Sequence, residues 1–418
     1  METTSEIEVS FSEENRRSLS TLARSIILSE GDFSLILVRC NYADLREKMW
    51  EKLQRLAPQP LDYLILQDTQ TNLYQSIQEF TSNREIYCLH IFGMEVLENL
   101  EQMLVSSNQM RDEFNQAFNF PIVLWMTDDV LQKMTRLAAD FKSWAASAIK
   151  FNLESQCLVL LWQRAADRLF NQILDNQVEI PLSNQDLGLA LSDRYRQELE
   201  SALLDLQERG FQINLALAAT WQLILGRDAE AKNQFPEAIA YYEKSLEFWR
   251  HSPQIEDFPN PDLLAPHICL YLERQGILLL HLGLCYAKQA QLSCTNSRTS
   301  WQQAQNSFQS GRLVFRAAGQ HNLATQLLIY QGEVLQSLES WQELTDLAEE
   351  ALRAAENPPG EAIFSKSMEG SRPQEVIQNY RVSSVSSVSL VSPISPLHLA
   401  QLYGFLAIVA CEIGRAHV

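Results

Sequence analysis

The chain has 418 residues, enough for two or three domains that each bury a core of their own. Its net charge of -19 would repel phosphates, which argues against nucleic acid or an anionic membrane as the main partner. Seven scattered cysteines with no C-x-x-C pair read as reduced thiols, and the acidic, polar start METTSEIEVSFSEEN is no signal peptide. No run of about eighteen apolar residues offers a membrane span. A cytoplasmic protein is expected.

Residues 1–14 read as a disordered lead-in. From Asn15 to Ser29, Leu19, Leu22, Ala23, Ile26 and Ile27 repeat at helical spacing. The texture then changes to short apolar runs alternating with amphipathic stretches. Strands are expected at 33–38 (FSLILV), 62–67 (DYLILQ), 86–92 (IYCLHIF), 120–127 (FPIVLWMT) and 147–153 (SAIKFNL). Helices are expected between them, at 41–56, at 71–80, through Val96, Leu97, Leu100 and Leu104, and at 128–137. Strands alternating with helices imply right-handed crossovers and a parallel sheet covered on both faces, a three-layer α/β domain over 15–153.

Such sheets often hold a nucleotide where the first strand runs into a glycine-rich turn and a helix N-terminus. Here that turn is Arg39-Cys40-Asn41-Tyr42-Ala43, without a glycine, and G-x-x-x-x-G-K-[ST] is absent from the chain. Conventional ATP hydrolysis is therefore not expected, and the chain is read as no enzyme. Glu95, in IFGME just past the third strand, stands where a magnesium-linked carboxylate would sit. Thr127-Asp128 ends the fourth strand, where a phosphate-sensing group or a helix cap is needed. Arg39, Asn41, Glu95, Thr127 and Asp128 are the candidate nucleotide contacts of an alternative reading in which ATP or ADP binds with magnesium. The words MRDEFNQAF, FPIVLWMTDDVLQKM and DFKSW resemble the AAA-like, signal-transducing (STAND-type) NTPase module found at the N-terminus of bacterial repeat proteins. That resemblance covers residues 15–153 and implies a P-loop-like domain that has lost its phosphate loop.

Residues 154–212 read as a helical connector, broken at Glu179-Ile180-Pro181 and closed by the charged helix 193–210 with Gly210 as its stop. Beyond it, over 213–356, comes a repeated pattern. In LGRDAEAKNQFPEAIAYYEKSL (225–246) small residues Gly226, Ala229, Ala238 and Ser245 fall where two helices must touch, and Tyr242 lies between the last two. Asn233-Gln234-Phe235-Pro236 supplies the break, since proline suits the first turn of a new helix. Leu282-Gly283, Tyr286, Ala304 and Phe308 give a second copy with an insertion at 291–299. Leu328, Gly332, Leu335, Trp341, Leu344, Ala348 and Ala351 give a third, and Tyr403-Gly404 with Ala407 opens a fourth. The pattern resembles the tetratricopeptide repeat (TPR), which implies an all-α solenoid whose concave face grips a protein or peptide. By the family's pattern that face falls on Leu223, Arg227 and Glu230, on Leu284 and Lys288, and on Ile329, Glu333 and Gln336.

Residues 357–396, with SSVSSVSLVSPISP, read as a flexible loop, and 397–412 as the first helix of a further repeat. The terminal EIGRAHV matches a translated sequencing-adapter read-through, so 413–418 are expected to be foreign to the natural protein. No H-e-x-x-H-like histidine spacing and no nucleophile elbow occurs, so no metal and no catalytic residue is expected. Two function classes follow. One is a non-catalytic interaction scaffold with a protein or peptide partner and no cofactor; the other is a nucleotide-dependent switch whose head binds ATP or ADP.

Overall fold

A computed structural model describes residues 12–175, 182–191, 193–212, 214–251, 261–292, 297–356 and 404–405. The chain forms two units, Met1–Ala165 with Gly188–Gln212, and Ala166–Leu187 with Ile213–Val418. The expected connector 154–212 is thus shared between them, its last helix belonging with the sheet. The expected breaks and loops at 179–181 and 357–396, and 413–418, lie outside the described residues.

The first unit runs α1 (Glu13–Leu28), β1 (Ser34–Arg39), α2 (Ala43–Leu56), β2 (Asp62–Ile65), α3 (Leu73–Thr81), β3 (Leu89–Phe92), α4 (Leu100–Gln109), α5 (Arg111–Ala117), β4 (Pro121–Met126), α6 (Asp128–Leu137), α7 (Ala139–Lys142) and β5 (Ile149–Lys150). α8 (Ser155–Asp175) then leads out, and α9 (Arg194–Glu208) returns. The lead-in ends earlier than expected, because Ser12 caps α1 by accepting the Asn15 N–H. All strand pairs are parallel, in the order β2-β3-β4-β1-β5. β4 is buried along its whole length, as its unbroken apolar sequence requires of a strand covered on both faces. One face packs Leu35, Leu37, Ile91, Ile122 and Leu124 against Leu73, Ile77, Met103, Leu104, Phe114 and Phe141 from the surrounding helices.

The second unit contains α10 (Leu215–Ala231), α11 (Phe235–Arg250), α12 (Pro261–Leu292), α13 (Ser297–Ala317), α14 (His321–Ser337) and α15 (Trp341–Glu356). Each helix packs against the next in the chain. Pro236 lies in the first turn of α11, and Asn233 takes the left-handed conformation (φ 58°) that reverses the chain. α12 is longer than the repeat pattern suggested, and the expected insertion at 291–299 is corrected. Gln291 and Leu292 close α12, and Ser297 to Thr299 already open α13. Ile268–Leu292 is long and apolar enough to cross a membrane by composition, with a mean hydropathy of 1.3, and 61% of its most apolar stretch is buried inside the protein. Burial among helices accounts for that composition as well as lipid would.

Candidate functional site

The C-terminal ends of β1, β3 and β4 carry the polar groups that the sequence singled out. Arg39 ends β1 and ion-pairs with Asp128 at the start of α6. Asn41 pairs with Asp128 twice: its Nδ2 donates to Oδ2 at 2.7 Å, and its Oδ1 accepts the Asp128 N–H at 2.9 Å. Thr127 is the N-cap of α6, its Oγ1 accepting the Val130 N–H at 3.5 Å. Four of the five candidates therefore meet at one place. Glu95 sits one step away, in a buried ion pair with Arg46 of α2. Gly93 sets it there: its φ is 89°, and a Cβ would stand 3.0 Å from the Leu66 carbonyl oxygen, so a side chain would be strained and crowded. Arg46 Nε and Glu95 Oε2 are buried without a hydrogen-bond partner among the described residues.

What sequence reasoning missed is α9. This helix brings Glu198 and Asp205, two turns apart on one side, to the same strand ends. Ala43, the first residue of α2, donates its N–H to Glu198 Oε1 at 3.0 Å. Tyr42, the residue before it, offers no cap from its own side chain and instead donates its hydroxyl to Asp205 Oδ2 at 2.5 Å. Asp205 also stands 3.6 Å from Arg39. A helix N-terminus exposes unpaired N–H groups and a partial positive charge, and in nucleotide-binding sheets the phosphate takes them. Here a carboxylate of the chain takes one. The signal available beforehand was the position of Asp205 beside the apolar stripe Leu199, Ala202, Leu206 of α9, where an acid is unexpected.

The electrostatics follow from burial and these pairings. Burial works against the Arg39 charge, but Asp128 and Asp205 outweigh it and hold its pKa above the ordinary value. Burial raises Tyr42, and Asp205 raises it further, so the phenol stays a donor. Burial pushes the Cys40 thiol up to about 11, which leaves it unreactive. Glu198 is raised by burial, with the Ala43 N–H and Arg194 opposing. Cys88 and His90, on β3 or just before it, are core groups. Trp125 donates its indole N–H to His90 Nδ1 at 3.0 Å, and Cys88 Sγ lies 3.5 Å from Nε2. Burial lowers His90 to about 3, so it is neutral, with its proton on Nε2.

In the helical unit the expected partner-binding residues part company. Leu223, Arg227 and Ile329 are buried and present no surface, which corrects their assignment to an open face. Arg227 is held by the chain itself: its Nε donates to Asn184 Oδ1 at 2.9 Å, its Nη1 to His281 Nε2 at 2.8 Å, and its Nη2 to the Leu182 carbonyl. A guanidinium only donates, so His281 carries its proton on Nδ1 and gives it to Glu230 Oε2 at 2.9 Å. Tyr242 donates to the same oxygen at 2.5 Å. Burial favours the neutral acid at Glu230, yet His281, Tyr242 and Arg227 outweigh it and lower its pKa. Arg227 and Glu230 thus form an internal network. Leu284 and Gln336 are half-buried, while Lys288 and Glu333 are exposed as residues; partial desolvation of the Glu333 carboxyl raises its pKa, and Lys288 opposes that rise. Beside Lys288, an open cleft of about 460 Å³ is lined by Pro236, Ile239, Tyr286, Gln289, Thr299, Ser300 and Gln303. Its walls are apolar and uncharged polar, a lining suited to peptide backbone and amide groups.

Comparison with protein-family models gives no match, and comparison with curated proteins gives no similar sequence.

Proposed function

We propose that this chain is a non-catalytic interaction scaffold, with α10–α15 as tetratricopeptide-like hairpins and the sheet unit as a STAND-like head that has given up nucleotide chemistry. The observation that carries the reading is the Glu198 carboxylate on the Ala43 N–H, with Asp128 and Asp205 on Arg39. Carboxylates of the chain stand where a phosphate would have to enter, and a phosphate there would meet their repulsion. The partner is a protein or peptide, taken on the surface around Lys288, Glu333, Leu284, Gln336 and the neighbouring cleft. Among the described residues Cys40, Cys88, Cys157, Cys269 and Cys285 form no disulfide, which suits the cytoplasm.

A second reading is favoured by the convergence of Arg39, Asn41, Thr127 and Asp128: a switch whose head binds ATP or ADP with magnesium once α9 gives way. Thermal unfolding of the full chain with millimolar nucleotide and magnesium decides between them. A ligand at 100 times its Kd stabilises its fold by about 2.7 kcal/mol. The scaffold reading expects no shift with either nucleotide. A rise in Tm that Arg39→Ala abolishes would overturn it in favour of the switch.

A further inference from the structure

The Arg227 network of the helical unit fastens a stretch of chain that belongs to no helix. Residues 182–187 are irregular, and at Gly188 the chain passes back into the first unit. Two of the hydrogen bonds that hold this strap to α10 come from one guanidinium: Arg227 Nε donates to Asn184 Oδ1 at 2.9 Å, and Nη2 donates to the Leu182 carbonyl. A third runs from Asn184 Nδ2 to Asp228 Oδ1 at 3.1 Å. The remaining arm of the guanidinium, Nη1, donates to His281 Nε2 of α12 at 2.8 Å.

That last bond exists only while the ring is neutral. Its one proton is on Nδ1 and goes to Glu230 at 2.9 Å, so Nε2 offers a lone pair. A second proton would sit on Nε2 and face a nitrogen that only donates, with two positive charges 2.8 Å apart between buried side chains. The two charged groups bonded to the ring, Arg227 and Glu230, already cancel, so the added charge finds no unused partner beside it. The other titratable groups around the ring are the Tyr242 phenol of α11 and the Cys285 thiol of α12, both held protonated by burial, and Asp228, which accepts from Asn184. The ring is fixed: it is carried by a helix, stacked on Tyr242 with centroids 5.2 Å apart, and held more firmly by Glu230 once charged. The guanidinium is the member that can leave, because its other bonds end on the irregular strap.

We propose that Arg227 and His281 form a pH-operated latch: with the ring neutral the guanidinium holds residues 182–187 on α10, and with the ring protonated it swings away and releases them. A histidine ring changes charge between pH 5 and 8, so acid opens the latch. The device goes beyond the scaffold reading and does not depend on it.

The test is hydrogen exchange of the full chain at pH 7.5 and 5.5, read by mass spectrometry on peptides covering 183–190 and divided by the intrinsic exchange rate at each pH. The reporter is the Leu187 N–H, bonded to the Ser183 carbonyl at 3.3 Å, with its side chain buried. Acid is expected to lower its protection by about tenfold or more, while peptides from α10 and α11 keep theirs. His281→Gln, which offers Arg227 an uncharged acceptor and Glu230 a donor, is expected to keep the strap protected at both pH values. Arg227→Met is expected to lose the protection at both. Equal protection of the unaltered chain at the two pH values, or the same acid loss in His281→Gln, would overturn the proposal. So would a loss that α10 and α11 share, which is unfolding and not unlatching. If His281→Gln loses its helical circular dichroism, His281→Asn, also an uncharged donor and acceptor, takes its place and the same pH independence is required of it.

Discussion

Gly283→Ala reverses the usual effect of its substitution. In an open helix, replacing an interior glycine by alanine stabilises by about 1 kcal/mol, because alanine loses less backbone freedom on folding. At Gly283 the new methyl would stand 2.4 Å from the Phe308 ring, where contact distances of 3.4 Å and above are ordinary. The ring cannot swing clear, since it is buried and stacked on Tyr330 with centroids 5.6 Å apart. Overpacking costs about 1–3 kcal/mol in general, and a 2.4 Å contact with a ring that cannot move lies in the upper part of that range, about 2–3 kcal/mol, so the net loss is expected at about 1–2 kcal/mol after the propensity gain of about 1 kcal/mol. For a unit of this size that is a fall in Tm of about 2–8 °C. Phe308→Ala alone is expected to cost about 3–5 kcal/mol. With that ring gone, the added Gly283→Ala should stabilise by about 1 kcal/mol, giving a coupling of about 2–3 kcal/mol in the double-mutant cycle. The assay is thermal unfolding of the four full-length chains, followed by circular dichroism at the helix band. A Gly283→Ala chain as stable as the parent, or more so, would refute the reasoning.

Three further outcomes follow from the sheet unit. His90 is neutral and buried, lowered from an ordinary value of about 6.5 to about 3. Its contribution to stability is complete above the ordinary value and is lost as the pH falls from about 6.5 toward 3, by up to about 1.4 kcal/mol per pH unit. His90→Asn should flatten the acid limb of stability against pH, and an unchanged limb would exclude His90 as its source. Asn15→Ala removes both hydrogen bonds that tie α1 to the Asn152 backbone, at 2.8 and 3.0 Å, and urea unfolding should show a loss of about 1–3 kcal/mol. Glu198 is raised by burial, so its ionised form is the one the fold disfavours above its pKa. Glu198→Gln keeps an oxygen for the Ala43 N–H without the charge and should be neutral or stabilising at pH 7, whereas Glu198→Ala should cost about 1 kcal/mol. Equal losses in both would show that the oxygen is not what matters.

The sheet was legible because its strands are short continuous apolar runs, and only a strand covered on both faces needs one, as buried β4 shows. Thr127 was legible as a cap because a hydroxyl followed by two acids is what a helix start demands. The Gly226–Tyr242 contact was legible because the ring and the groove lie on neighbouring helices. Contacts that depend on a distant segment were not. Nothing local says that Glu198 would reach Ala43, more than a hundred residues away, or that Phe405 would fill the groove over Gly332. Arg227 misled for a related reason. An arginine on a helix reads as surface, and only the return of Leu182 and Asn184 to cover it makes it interior.

The missing glycines and the added acid are two sides of one requirement. A glycine-rich turn lets backbone wrap a phosphate, and that phosphate satisfies the free N–H groups of the next helix. The turn Arg39-Cys40-Asn41-Tyr42-Ala43 has no glycine to allow such a wrap, yet α2 begins there with a half-buried N–H that its N-cap side chain does not satisfy. Leaving such a donor unpaired costs about 1–3 kcal/mol, so the fold needs another acceptor. Glu198 is that acceptor, and Asp128 and Asp205 neutralise the Arg39 charge beside it. A glycine-free turn at this strand end therefore goes with an acid that a remote helix must bring.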